Sequence, residues 1–462
     1  MRIRTLSFIV LLGLVTSVAT AQPIWSTKFA NLGLAGKVYA LLPAHDSLYV
    51  GGRFTTVAGV PASNIALWDG KAWHALGAGT DKGVYSLAFD VDGTVIAGGE
   101  FSTAGGSPAS CIARWDGNIW SPIGSGIIPP PSSKKTARRG VLSILRTSAN
   151  EIFIGGCFDR NGEGTRLNDV ARWNGKLWDT LGYGFASYGA PSDGTREPGV
   201  LSLVETKWGV AAAGYFVAAN YLLGSGISFW SGNVWSSPLI DTPAQVNVTS
   251  MFYAGGSLVF AGDVASKWPS LPFVGYSGNG IFAGPPESPG FPVSFVAGIG
   301  ATTYAAQGAP CDTCHVQNLA AFAGVWSPIG GGIDSTVNLM FSSGSRLYLA
   351  GNFTHANGQA SDGIAMYDAD PAAVQDMTHL SLSQPTSLFT RTGRIILTGL
   401  GQTPSAFNDL AVFDALGRAM DANDIFTGDS NGDGVEVNIS ALPNGLYLIT
   451  DGAKAIKVLL QR

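Results

Sequence analysis

An internal repeat constrains this chain more than any other feature. Aligned on Val38, Val84, Val141, Val200, Val248, Val293 and Val337, residues 23 to 368 divide into seven units. Each unit is about 45 to 60 residues long, the length of one supersecondary module. Each opens with a short apolar strand, such as Val38-Tyr39-Ala40-Leu41 or Val141-Leu142-Ser143-Ile144. Apolar residues on both faces imply a strand covered on both faces. A second strand ends at glycine, as in Val50-Gly51-Gly52, Ala97-Gly98-Gly99 and Ile154-Gly155-Gly156. Glycine there marks a bulge or a close backbone approach. A third strand ends in an aromatic residue and a turn, and a fourth opens with another aromatic. Examples are Trp68-Asp69-Gly70 before Trp73, Trp115-Asp116-Gly117 before Trp120, Trp173-Asn174-Gly175 before Trp178, Trp230 with Trp235, and Tyr276 with Phe282. Asp-Gly and Asn-Gly in that setting specify tight hairpins.

Four strands per unit, none able to cover its own apolar faces until a neighbour stacks on it, describe propeller blades. The last unit has no fourth strand after Tyr367-Asp368, whereas Ile24-Trp25 near the N-terminus has that strand's character. The expected fold is therefore all-β: a seven-bladed β-propeller of four-stranded blades, closed by its N-terminal strand and followed by a small β-domain. The tryptophans on repeat positions, from Trp25 to Trp326, read as blade-packing residues rather than a sugar platform. The double-glycine strand with spaced aromatics resembles kelch-type propellers. The fuller pattern, Gly-Gly-x-Phe then Asn-Ile-Ala-x-Trp-Asp-Gly, resembles repeats of extracellular fungal cell-polarity marker proteins and of many bacterial secreted proteins. This implies architecture only, because propellers host enzymes and binders alike.

The ends speak for export. Arg2 and Arg4 precede an apolar run from Leu6 to Val18 and a small-x-small site at Ala19-Thr20-Ala21, which reads residues 1–21 as a signal peptide and starts the mature chain at Gln22. No later stretch approaches about 18 apolar residues, so no membrane span is expected. A net charge of -5 disfavours nucleic acid as a partner. The propeller is assigned to residues 22–368, a linker to 369–384 and a terminal domain to 385–462. In that domain Leu416-Gly417-Arg418 and Leu442-Pro443-Asn444-Gly445-Leu446-Tyr447, with a basic last strand, resemble the type A sorting domain of the type IX secretion system of Bacteroidetes-like bacteria. The usual Pro-Asn-Pro is replaced by Ser383-Gln384-Pro385. The resemblance implies an Ig-like β-sandwich, the type IX secretion machinery as partner, and a secreted or outer-surface location.

Strand order puts every long insertion on one face: the connections Ser125 to Arg139 and Gly182 to Gly199, and the loops around Asn161, Tyr221 and Cys311. Loops held by a rigid scaffold are where binding residues concentrate. The first insertion carries Lys134, Lys135, Arg138 and Arg139, and its neighbour Tyr183, Phe185 and Tyr188. Together they suit an acidic glycan or another anionic partner, against the alternative of a solvated loop. Cys111 and Cys157 are expected to form an inter-blade disulfide. Cys311-Asp312-Thr313-Cys314-His315 reads as a disulfide-stapled loop, with covalent haem at Cys311, Cys314 and His315 as the alternative. No metal site is expected, since Asp429 to Gly434 matches only half a calcium loop, with Ser440 where glutamate is wanted. No nucleophile elbow, phosphate loop or metal-binding histidine pair is present. The expectation is a monomeric, non-catalytic surface binding module for glycan or protein. The alternative is an exported enzyme, either a redox propeller or a polysaccharide-active one using Asp159, Glu163 and Asp193.

Overall fold

The computed structural model describes residues 23–26, 28–29, 33–34, 36–44, 47–131, 138–185, 199–217, 225–237, 247–263, 273–277, 281–283, 289, 291–308 and 318–369, and five strands beyond them. By internal contact the chain forms two units, Met1–Gln375 and Asp376–Arg462. The described residues of the first make seven antiparallel four-stranded sheets, one per repeat. Blade two is typical, with Val84–Phe89, Val95–Gly99, Ile112–Trp115 and Trp120–Pro122 in order. The seventh blade takes its fourth strand from the N-terminus: Ile24 pairs with Asp368 and Trp25 with Tyr367. The ring is thus closed by residues at opposite ends of the repeat region, as the missing strand implied.

The hairpin aromatics pair directly across the third and fourth strands, Trp115 with Trp120 and Trp173 with Trp178, at centroid distances of 5.4 and 5.1 Å. Trp25 and Tyr367 make the same pair at 5.4 Å. In blade five the partner of Tyr276 is Ile281, one residue earlier than expected. The fourth-strand indole also reaches back one blade. Trp120, Trp178 and Trp235 donate Nε1–H to the carbonyls of Leu76, Ile123 and Leu181 at 2.8, 3.2 and 2.9 Å. These tryptophans join blades as well as filling them.

The double glycines serve a second contact. A Cβ on Gly51, Gly98 or Gly155 would lie 2.6, 2.5 or 2.4 Å from Cγ1 of Val84, Val141 or Val200, the valine that opens the next blade. A Cβ on Gly52, Gly99 or Gly156 would meet the carbonyl of Lys37, Gly83 or Gly140 at 2.1, 2.1 or 2.0 Å. That second approach belongs to a β-bulge. The first two strands slip register between Val38 and Ala40, Val84 and Ser86, Val141 and Ser143, and Val200 and Ser202. The same slip recurs at Val248/Ser250 and Val337/Leu339. The extra residues are Tyr39, Tyr85, Leu142, Leu201, Thr249 and Asn338. Blade six has no such slip, and its first strand is Phe295–Ile299 rather than a strand from Val293.

Neighbouring blades are also clasped on the insertion-bearing face. Ile127–Ile128, after blade two, pairs with Arg160–Asn161 in blade three, and Thr80 bridges Ala104 as Ile333 bridges Ala356. Asp81 accepts hydrogen bonds from Ser102 N and Oγ and from Thr103 N, and Asp334 accepts the equivalent bonds from Thr354 and His355.

In the second unit, Arg394–Thr398 pairs with Gly434–Asn438, and Gly445–Thr450 runs between Ala411–Asp414 and Ala455–Leu460. Gly445 and Tyr447 fall on that middle strand. Leu416, Gly417, Arg418, Leu442 and Pro443 lie outside the described residues.

The glycine–valine contact yields a stability prediction. Gly98→Ala should lower unfolding free energy by about 1–3 kcal/mol through overpacking. Adding Val141→Ala should return part of that loss, although Val141→Ala alone destabilises. Denaturant melts of the four proteins check this. Trp120→Phe stays aromatic but loses both the indole's bond to Leu76 and part of its buried bulk, and should cost about 1–3 kcal/mol in the same assay.

Candidate functional site

The first strands of successive blades contact one another around the ring, so they line its axis. Each bulge residue sits near the start of its first strand, at the end where the insertion-bearing connections arrive. The bulges therefore place side chains around one mouth of the central channel. Tyr85, Leu142 and Cys157 form a buried cluster there, with Tyr39 and Leu201 packed against it. The Tyr39 and Tyr85 rings meet edge to face, 5.5 Å apart and inclined at 77°.

Cations gather on these two rings. The Arg138 guanidinium lies 5.2 Å from the Tyr39 centroid and 5.7 Å from that of Tyr85, and Arg53 lies 5.5 Å from Tyr85. Lys37 is the direct cross-strand partner of Arg53. Like charges placed directly opposite destabilise a sheet, so this pair is unfavourable to the fold taken alone. Arg53 Nη2 donates to Glu100 Oε1 at 2.6 Å, and the Glu100 side chain is only 16% exposed. Beside them is an open pocket of about 400 Å³, lined by Arg53, Phe54, Thr55, Asn64, Lys82, Gly83 and Glu100. Gly83 forms its base: a Cβ there would meet Arg53 Cγ at 2.7 Å and Tyr85 Cε1 at 3.0 Å. Arg139 donates to the Pro130 carbonyl at 2.9 Å.

Arg53 Nε and Arg139 Nε are buried without a hydrogen-bond partner, as are Arg114 Nε and Arg172 Nε in other blades, while the Tyr85 hydroxyl lies against Arg53 and Glu100. Buried polar groups are nearly always paired, and an orphan costs about 1–3 kcal/mol. Burial, with the Glu100 carboxylate adding to it, holds the Tyr85 phenol above its ordinary pKa and so neutral at physiological pH. Lys37, Arg53, Lys82, Arg138 and Arg139 gather in a region where, among the described residues, the carboxylates are Glu100, held by Arg53, and Asp81, engaged in the inter-blade clasp.

The structure redistributes the expected site residues. Arg138 and Arg139 are at the mouth, and among the described residues the aromatic partners of Arg138 are Tyr39 and Tyr85. Phe185 is buried: it is 4% exposed and stacks on Phe216 at 4.1 Å and against Trp235 at 4.6 Å, filling blade four. Tyr183 is exposed, and its carbonyl accepts from Asn168 Nδ2. Lys134, Lys135, Tyr188, Asp193, Cys311, Cys314 and His315 lie outside the described residues. Asp159 is engaged by Arg160 at 2.6 Å and Arg166 at 3.7 Å. Among the described residues, no group of three or more His, Cys, Asp and Glu is placed to hold a metal, and no helix is long and apolar enough to cross a membrane.

The expected Cys111–Cys157 bridge is corrected: the two stand as separate buried thiols. Cys111 has φ +63°, in the slot before the third strand that Asn64, Asp169 and Asn318 fill in other blades at +66°, +68° and +56°. Its sulfur points at Gly140, 2.9 Å from where a Cβ would lie, and Gly140 in turn pairs with Cys157. Burial, with Glu100 adding, pushes the Cys111 thiol up to about 12. Below that pH the group is a neutral thiol, not a nucleophilic thiolate. Iodoacetamide at pH 8 should therefore leave Cys111 unmodified in the folded protein and label it in denaturant, as peptide mass spectrometry would show.

A family model described as "Domain of unknown function (DUF5122) beta-propeller" matches residues 92–117, within blade two. No curated protein matches the chain. Among solved structures the chain is similar to the computationally designed Ika8 protein, at 14% identity over 72% of this chain and 96% of that one, with a TM-score of 0.40. It is similar to PorZ, a bacterial surface component of the type IX secretion system of Porphyromonas gingivalis, at 11% identity over 92% and 60% of the two chains and a TM-score of 0.43. It is also similar to a fungal alcohol oxidase of the AA5 family in complex with copper, at 13% identity over 95% and 100% and a TM-score of 0.45. Likenesses at this depth carry no argument about activity; the propeller assignment rests on the blades themselves.

Proposed function

We propose that this chain is an exported, non-catalytic binding protein that captures an anionic ligand at the cationic mouth of its propeller. Export and an outer-surface location rest on the leader-like first 21 residues and on the resemblance of the terminal domain to a type IX sorting signal. One observation carries the binding reading. Arg53 and Arg138 lie over the Tyr39 and Tyr85 rings, Lys37 faces Arg53 across the ladder, and Lys82 lines the open pocket with Arg53, whose side chain is 37% exposed. Clustered cations beside an open pocket attract an anion, and a guanidinium donates charge-assisted hydrogen bonds to it.

Calorimetric titration of the purified protein with acidic and neutral polysaccharides tests this. Acidic polymers should bind, more weakly as salt rises, and neutral ones should not. A charge-assisted hydrogen bond contributes about 1.5–3 kcal/mol, so Arg53→Ala should weaken binding at least about tenfold, and Arg138→Ala with Arg139→Ala further. Unchanged affinity in these variants, or equal binding of a neutral polymer, removes the mouth as the site.

A further inference from the structure

Resting on that reading, we infer that the pocket between the first two blades takes one uronic-acid ring of an acidic polysaccharide. Its carboxylate meets Arg53 and Lys82, and its hydroxyls meet Glu100, all three on the pocket lining. The decisive residue is Glu100. A site built for sulfate or phosphate esters presents donors only, because those groups, fully ionised, have no proton to give. Here a carboxylate stands on the pocket wall, held by Arg53 at 2.6 Å and largely covered by protein. An ionised carboxylate is purely an acceptor, so a ligand lying against it must bring donors along with its own negative charge. A uronate does this on a single rigid ring, with a carboxylate on one carbon and hydroxyls on its neighbours.

The other wall groups have matching chemistry. Thr55 and Asn64 line the remaining wall; Asn64 Nδ2 is already given to the Thr80 carbonyl, which leaves its Oδ1 as an acceptor. A volume of about 400 Å³ is at the low end of small-molecule sites, which run from about 300 to 1,000 Å³. It suits one ring entering from an open face better than a folded segment. Lys37, across the ladder from Arg53, is placed to meet a carboxylate on an adjoining unit of the same polymer. An acidic peptide fits less well, since its carboxylates hang on flexible stems and its N–H donors lie back along the main chain.

The full chain is titrated with polygalacturonate, dextran sulfate and poly-glutamate of matched charge, and with variants Glu100→Gln, Tyr85→Phe and Gly83→Ala. Polygalacturonate is expected to bind at least about tenfold tighter than the other two. Glu100→Gln should weaken polygalacturonate and strengthen dextran sulfate, because the repulsion disappears. Tyr85→Phe and Gly83→Ala both act on Arg53, the first by removing a hydroxyl beside it and the second by placing a Cβ 2.7 Å from its Cγ, and should change polygalacturonate and dextran sulfate alike. Thermal melts confirm that each variant is folded. Equal binding of all three polymers, or a polymer preference untouched by Glu100→Gln, overturns the uronate assignment while leaving an anion-binding mouth. Binding of none of the three overturns both.

Discussion

The whole ring depends on how closely one blade approaches the next. Where Gly51, Gly98 and Gly155 face Val84, Val141 and Val200, there is no space for even one methyl group. In the corresponding register position of other blades the residue is alanine, as at Ala213, Ala261 and Ala350. Each blade buries the valine at the head of its successor, and no blade covers its own. The stack is stable only when it closes, and it closes by pairing Ile24–Trp25 with the strand ending at Asp368. Outer tryptophans that donate to the preceding connection repeat the same dependence at the rim.

That close approach also shapes the mouth. The second glycine of each pair lies against the carbonyl at the head of its own first strand, where the backbone bulges by one residue. A bulge re-aims a side chain, and here it turns one residue out of the ladder around the axis in every blade but the sixth. Most blades place Leu, Thr or Asn there, while blades one and two place Tyr39 and Tyr85. The packing device that builds the ring also supplies the aromatic floor on which the cations rest. The like-charged Lys37–Arg53 pair and the unsatisfied Arg53 Nε are tolerated on a scaffold whose stability lies elsewhere, in the blade contacts.

The propeller was legible because its signals are local and repeated. Hairpin aromatics, terminal double glycines and a missing fourth strand each recur or default at a fixed spacing, and each reflects a contact within a blade or with its neighbour. The site was legible only in part. Arg138 and Arg139 stood out as a run of charge, but Arg53, Lys82, Tyr85 and Glu100 sit singly inside repeat positions that read as ordinary framework. The signal that marks them is comparative: tyrosine at the second residue of the first strand in two adjacent blades, and lysine opposite arginine across one ladder. Phe185 misled because its loop looks exposed in sequence, whereas its ring turns inward onto Phe216 and Trp235.

The sequence by itself determined the number of blades, their strand order and the closure of the ring, since period and alternation act along the chain and need no knowledge of distant neighbours. Only the tertiary structure decided which residues meet at the mouth. Residues 39, 53, 85, 100 and 138 belong to different strands and connections, and it is the curvature of the ring, set by glycine against valine, that brings Arg53 and Glu100 onto one pocket and gathers Tyr39, Tyr85 and Arg138 beside it.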